Sequence, residues 1–175
     1  MSRLSQQVGV GLVEVLVAVL LLSVAVLGFS ALQVRAISAT DESLVRTQAL
    51  STIRGLSENM RANYLQIETY QTAINAADSN TVADNSCQEL TNTCDSEEIA
   101  IKEANSTVAK LNEYDISIRI KNCPSNEGTS EFSKIKCIIA AWGDTQPVMD
   151  ASTNACANEN GIYNNGSTCV IVEAY

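Results

Sequence analysis

Residues Val8–Phe29 read VGVGLVEVLVAVLLLSVAVLGF, and a single one of them ionises, Glu14. From Val10 to Leu32 every other residue is apolar or small. Such a run is long enough to cross a bilayer as a helix, which takes about 20 residues. A carboxylate inside it costs roughly 2.5–3.5 kcal/mol at the bilayer centre, and less near the edge. Glu14 therefore needs a purpose. No other segment is comparably long and apolar, so the 175 residues divide into one anchor and one soluble domain. A domain of little more than about a hundred residues is small enough to gain from covalent staples.

Six cysteines supply candidates, Cys87, Cys94, Cys123, Cys137, Cys156 and Cys169, and all lie beyond the anchor. An even number on one side of a membrane segment points to an oxidising compartment and a disulfide framework. A zinc site is disfavoured: there is no histidine and no C-x-x-C pair. Six cysteines allow about fifteen pairings. Neighbours in sequence are expected to join, as Cys87–Cys94, Cys123–Cys137 and Cys156–Cys169. The first pair flanks a short loop, the second ends one strand and enters the next, and the third closes the polar loop ANENGIYNNGST.

The net charge of −9 is unevenly spread. Five basic and four acidic residues lie up to Ala62, which leaves six basic and sixteen acidic from Asn63 onward. An acidic head repels phosphate backbones, so direct nucleic-acid binding by it is not expected. Nor is catalysis. With no histidine, nucleophile motif or phosphate loop, the sequence offers no acid–base or nucleophilic machinery. No cofactor and no metal is implied.

Beyond Leu32 the apolar residues thin into a stripe of Ile37, Leu44, Val45, Ala49, Ile53, Leu56, Met60, Tyr64 and Ile67, mostly at three- and four-residue steps. That is an amphipathic helix. No proline interrupts before Pro124. One helix is therefore predicted from about Val10 to Tyr64 or slightly beyond, on the order of 80 Å long at 1.5 Å per residue. The turn-rich DSNTVADNS at Asp78–Ser86 ends the helical structure. Asp95–Glu98 has capping-box spacing, and Ile101, Ala104, Val108 and Leu111 form a second helical stripe. Ile116, Ile118 and Ile120 alternate as one face of a strand; Ile135, Cys137, Ile139 and Ala141 alternate as one face of the next. Between them CPSNEGTSE suits a hairpin turn, and Thr168–Ala174 is a last strand. The fold class is α+β: a long N-terminal helix packed on a small antiparallel sheet.

Glu14 is the fifth residue after Gly9, which closes the polar leader MSRLSQQVG. A cleaved secretory signal with AIS at Ala36–Ser38 as its site does not explain that: the apolar run is too long and is charged in its first turn. The segment G-VGLVE-VLVAVLLL resembles the class III signal of type IV prepilins. The resemblance implies cleavage after Gly9 by prepilin peptidase, with Val10 as the new terminus and the candidate for N-methylation, and Glu14 as the residue that pairs with a neighbouring subunit's amine. It divides the chain into a leader at 1–9, a transmembrane and assembly helix at 10–35, an amphipathic second half at 36–65 and a disulfide-stapled head at 66–175. GFSALQVRA followed by ALSTIRGLSENMRAN, with MRAN at Met60–Asn63, is similar to the stem of minor pilins of the PilV, or type IV pilus modification, type.

On that resemblance the chain resides in the bacterial inner membrane as a single-pass protein with its head in the periplasm, and then in the extracellular pilus. Its partners are the peptidase, the major pilin and other minor pilins, with a large tip adhesin as a further one. The implied roles are assembly, motility, adhesion or DNA uptake. Two other readings share parts of the pattern: a minor pseudopilin of a type II secretion system, and a membrane-anchored periplasmic binding module. The sequence departs from the family in three places. Val10 stands where phenylalanine is usual, Ala31 where many major pilins have proline, and Tyr64 where proline often follows MRAN, so the helix is expected to run on unbroken there.

Overall fold

The computed structural model describes residues 11–83, 94–124 and 135–174. The chain falls into two units, one up to Ser43 and one from Leu44. Helix α1, Leu12–Ala62, supplies all the regular structure of the first and opens the second. In the first unit every described side chain is exposed, and Leu12, Leu27 and Leu32 each leave 70 % or more of their surface bare. Its hydroxyls are satisfied internally: Ser23 donates to the Val19 carbonyl at 2.7 Å and Ser30 to Val26 at 2.9 Å. This is how a polar side chain is tolerated where no water is available to pair with it.

The second unit is built on the other half of α1. Ala49, Ile53, Leu56 and Met60 are fully buried and pack with residues from every other large element. Ile37, Leu44 and Tyr64, counted in the same stripe by their spacing, are exposed instead. The helix does not run on through Tyr64. It stops at Ala62, a 3₁₀ turn covers Tyr64–Gln66, and α2 (Ile67–Ala76) follows. No proline makes this break. Asn63 leaves helical geometry and its amide donates to the Ser96 carbonyl at 2.7 Å, so a tertiary hydrogen bond fixes the turn.

Helix α3, Ser96–Asn112, starts on the expected capping box: Asp95 accepts from the backbone of Glu97 and Glu98, and the Glu98 carboxylate accepts from Asp95 N–H at 3.1 Å. Its buried stripe is Ala100, Ala104, Thr107, Val108 and Leu111. Ile101, part of the predicted stripe, is turned outward, and Ala100 takes its place on the buried face.

Three strands, β1 (Ser117–Asn122), β2 (Lys136–Ala141) and β5 (Cys169–Ala174), form an antiparallel sheet in the order β1-β2-β5. Ile120 faces Ile138 and Ile138 faces Val172 across the ladders. The β1–β2 pairing is that of the expected hairpin, whose turn lies outside the described residues. β1 is half-buried, with Ile118 and Ile120 inward. β2 is not: all six of its residues are buried. Ile138 and Ala140 join the helical core, while Ile139 and Ala141 pack with Cys156, Cys169 and Met149 on the opposite face. Alternation along the strand predicts one buried face. The second arises because a parallel pair, β3 (Gln146–Met149) and β4 (Ala155–Ala157), covers the far side of the sheet. No alternation announced that pair, since both strands are short and one contains Pro147.

Both free edges of the sheet are blunted. The Asn75 side chain of α2 receives Ile120 N–H at 3.0 Å and donates to its carbonyl at 2.8 Å, as a neighbouring strand would. On the other edge Ile171 N–H is taken by the Tyr163 hydroxyl at 3.0 Å. Each removes an unpaired ladder position that would otherwise template association.

Candidate assembly site

Glu14 lies in the first turn of α1, where its own N–H donates to the Gly11 carbonyl at 2.9 Å. A carboxylate there is favoured by the helix dipole, worth typically 0.3–1 kcal/mol. That is less than the cost of holding the charge in an apolar setting, so the dipole alone does not explain it. The Glu14 side chain is exposed and makes no ion pair or hydrogen bond among the described residues. Gly9 and Val10, the expected cleavage pair, lie outside the described residues. Among those that are described, α1 is the helix long and apolar enough to cross a membrane, with a mean hydropathy of 2.8 over its best window and none of that window buried. A continuous apolar surface of this extent needs a cover, either lipid or other apolar helices.

In the head the sulfurs of Cys123 and Cys137 are joined, as are those of Cys156 and Cys169. Cys94 is also disulfide-bonded, while Cys87, its expected partner, lies outside the described residues. Cys123–Cys137 staples the end of β1 to β2. Cys156–Cys169 ties β4 to the start of β5, so it clamps the outer layer onto the sheet. The link closes a loop with a sequence separation of 13, and a loop of that length gains about 3 kcal/mol in the chain-entropy model. Replacing both Cys156 and Cys169 by serine is expected to lower unfolding stability by about that amount. Urea unfolding under non-reducing conditions measures it.

Three polar features lie outside the expected site residues. Lys136 begins β2 with its side chain only 4 % exposed. Its ammonium meets Glu68 Oε1 at 2.8 Å, Gln71 Oε1 at 2.5 Å and Asn122 Oδ1 at 2.9 Å, so all three of its protons have acceptors. It ties α2 to β1 and β2. The second feature is the Tyr70 hydroxyl, which donates to the Glu103 carboxylate and links α2 to α3. Burial pushes the Tyr70 phenol well above its ordinary range, and the Glu103 carboxylate pushes it further, so it stays a protonated donor. The third is Asp150, held below the usual carboxylate range by hydrogen bonds from the Ser152 side chain and backbone. Lys136 was legible in principle, as a lysine in phase with Ile138 and Ala140. Tyr70 and Glu103 depend on how two helices meet and had no local mark.

Among the described residues no cluster of histidine, cysteine, aspartate or glutamate has the makings of a metal site. What the residues present is an exposed apolar helix with one carboxylate near its tip, and a separate unit locked by disulfides and one buried ammonium.

Residues 31–117 match the model of the Tt1218-like family, described as Type IV pilin Tt1218. The matched region covers the latter part of α1, α2, α3 and the first residue of β1. It excludes both the Gly9–Glu14 segment and nearly all of the sheet. The match and the N-terminal pattern are thus independent observations. No curated protein matches the chain. No solved structure matches it.

Proposed function

With that match supporting a type IV pilin family for a chain of α+β pilin-like fold, we propose that it is a minor pilin of the PilV type. A pilin's role is structural, and it is exercised by assembly with other pilins. In this reading prepilin peptidase cuts after Gly9, Val10 carries the new amine, and the protein waits in the inner membrane with its head in the periplasm. It then enters the pilus beside the major pilin and other minor pilins, at the tip or initiation complex, where a large adhesin is a further partner. Assembly, motility, adhesion or DNA uptake depends on its presence there.

The observation that carries the reading is Glu14: a carboxylate without a partner among the described residues, at the tip of a helix whose first half, up to Ser43, leaves its apolar side chains exposed. Cleavage would create a cation of matching kind on a neighbouring subunit. Opposite charges attract strongly in an apolar medium, and an unpaired one is penalised there. Docking would relieve Glu14 and cover the apolar helix at once. The staples in the head favour a minor component, since many major pilins carry a single cysteine pair near the C-terminus.

The direct test is the N-terminus of the protein recovered from membranes and from sheared pili. Mass spectrometry is expected to find a chain that starts at Val10. Maturation after Ser38, or retention of the leader in the filament, would overturn the proposal.

A further inference from the structure

Within the second unit, α1 and α3 border a groove of about 270 Å³. On the α1 side Ser51, Gly55 and Asn59 follow at four-residue steps and share one face. On the α3 side Lys102, Ser106 and Lys110 have the same spacing. The space beside Gly55 is open: no atom would lie within 4 Å of a Cβ there. Thr52 lines the groove while only 8 % exposed, and its hydroxyl is the buried side-chain oxygen without a hydrogen-bond partner among the described residues. Helical threonines elsewhere in the chain satisfy theirs on the carbonyl four residues back, as Thr72 does on Glu68 and Thr107 on Glu103. Thr52 does not.

The electrostatics of this groove run against the head that contains it. From Asn63 onward acidic residues outnumber basic ones sixteen to six, yet two of the six face this one groove. Neither Lys102 nor Lys110 makes an ion pair or side-chain hydrogen bond among the described residues. Glu103 is the carboxylate that lines the groove, and it is already engaged by the Tyr70 hydroxyl. The unengaged groups that reach the groove are therefore two ammoniums, the hydroxyls of Ser51 and Ser106, and the Asn59 amide, while the Thr52 oxygen lies buried beneath them.

The geometry points to a binding site for a phosphate dianion, free or as a terminal monoester, in the α1–α3 groove. Two ammoniums eight residues apart on one helix stand about 12 Å apart along its axis, within reach of a shared anion from either end. The two ammoniums outweigh the single Glu103 carboxylate of the lining, so the groove attracts an anion. Four acceptor oxygens match the neutral donors better than the two of a carboxylate do. A metal ion is repelled by the same pair, and an apolar ligand has only Leu56 to rest on.

The test is isothermal titration of the full chain in detergent at constant ionic strength, with inorganic phosphate in one arm, glycerol 3-phosphate in a second and chloride as the reference. Saturable one-to-one binding of inorganic phosphate is expected, weakened at least tenfold in the double variant K102Q/K110Q. That variant loses no internal partner, so its thermal unfolding should match the parent's and report a folded protein. Binding of glycerol 3-phosphate as well would identify the ligand as a monoester; binding of inorganic phosphate alone would identify the free ion. No saturable binding of phosphate, or equal binding in the double variant, would overturn the assignment. Neither result touches the pilin reading, which is scored on filaments.

Discussion

Glu14→Ala is expected to leave the protein processed, folded and membrane-inserted, and to lower its content in sheared pili by at least about a hundredfold. Alanine is the best helix former, so α1 is retained. Removing a charge from an apolar span also makes insertion easier, so the membrane pool should persist or grow. What is lost is the pairing of the carboxylate with a neighbour's terminal amine. Leaving one member of a buried ion pair alone costs about 3–5 kcal/mol, and each 1.4 kcal/mol is about a factor of ten in an equilibrium. Immunoblots of sheared pili and of membranes, each normalised to total protein, read the two pools separately. Glu14→Gln should behave as alanine does, because charge rather than size is required. Normal incorporation of either variant would remove the registration role.

Lys136→Ala is expected to be the most damaging single substitution in the head, at about 4 kcal/mol. Glu68 contributes little to that figure. Its side chain is 79 % exposed, so its charge returns to water when the lysine is gone. The loss comes from the less exposed side. The Gln71 and Asn122 oxygens lose the ammonium proton each accepts, at about 1–3 kcal/mol for a buried group, and the space vacated by the lysine stem adds a cavity. Glu68→Gln is the contrast, expected to cost under about 1 kcal/mol. Urea unfolding of the oxidised protein in detergent measures both, as a shift of the midpoint at unchanged slope. Equal effects of the two variants would show that the ion pair, not the buried hydrogen bonds, does the holding.

These two residues differ in how openly the sequence declares them. Glu14 is conspicuous because nothing near it is charged, and a carboxylate in an apolar helix is costly wherever that helix goes. Lys136 sits in KIKCIIAAW, where alternation assigned the inward face to Ile135, Cys137, Ile139 and Ala141 and left the lysines to solvent. That reading follows from a strand with one wet face. In the folded unit β2 lies in the middle of its sheet with packing on both sides, and the lysine goes inward with Ile138 and Ala140.

The break after Ala62 teaches the same lesson from a helix. The apolar period continues through Tyr64 to Ile67, and no proline or glycine interrupts it. Local propensity therefore favours one unbroken helix. The turn exists because Asn63 and Gln66 find Ser96 across the chain, at 2.7 and 3.4 Å. Their partner is 33 and 30 residues away, beyond anything a local pattern registers.

The sequence by itself determined the apolar first half of α1 with its single carboxylate, the amphipathic second half, the capped start of α3 and the three antiparallel strands. Each rests on a periodicity or a cap that is complete within a dozen residues, and short-range geometry does not need the rest of the chain. The tertiary structure alone decided where α1 stops, which way Ile101 turns, that β2 is buried on both faces by the β3–β4 layer, and that Lys136 is an internal tie. It also decided that Thr52, Lys102 and Lys110 share a groove. All of these depend on which distant surfaces meet, because burial and hydrogen-bond partnership belong to pairs of elements and are set only when the elements dock.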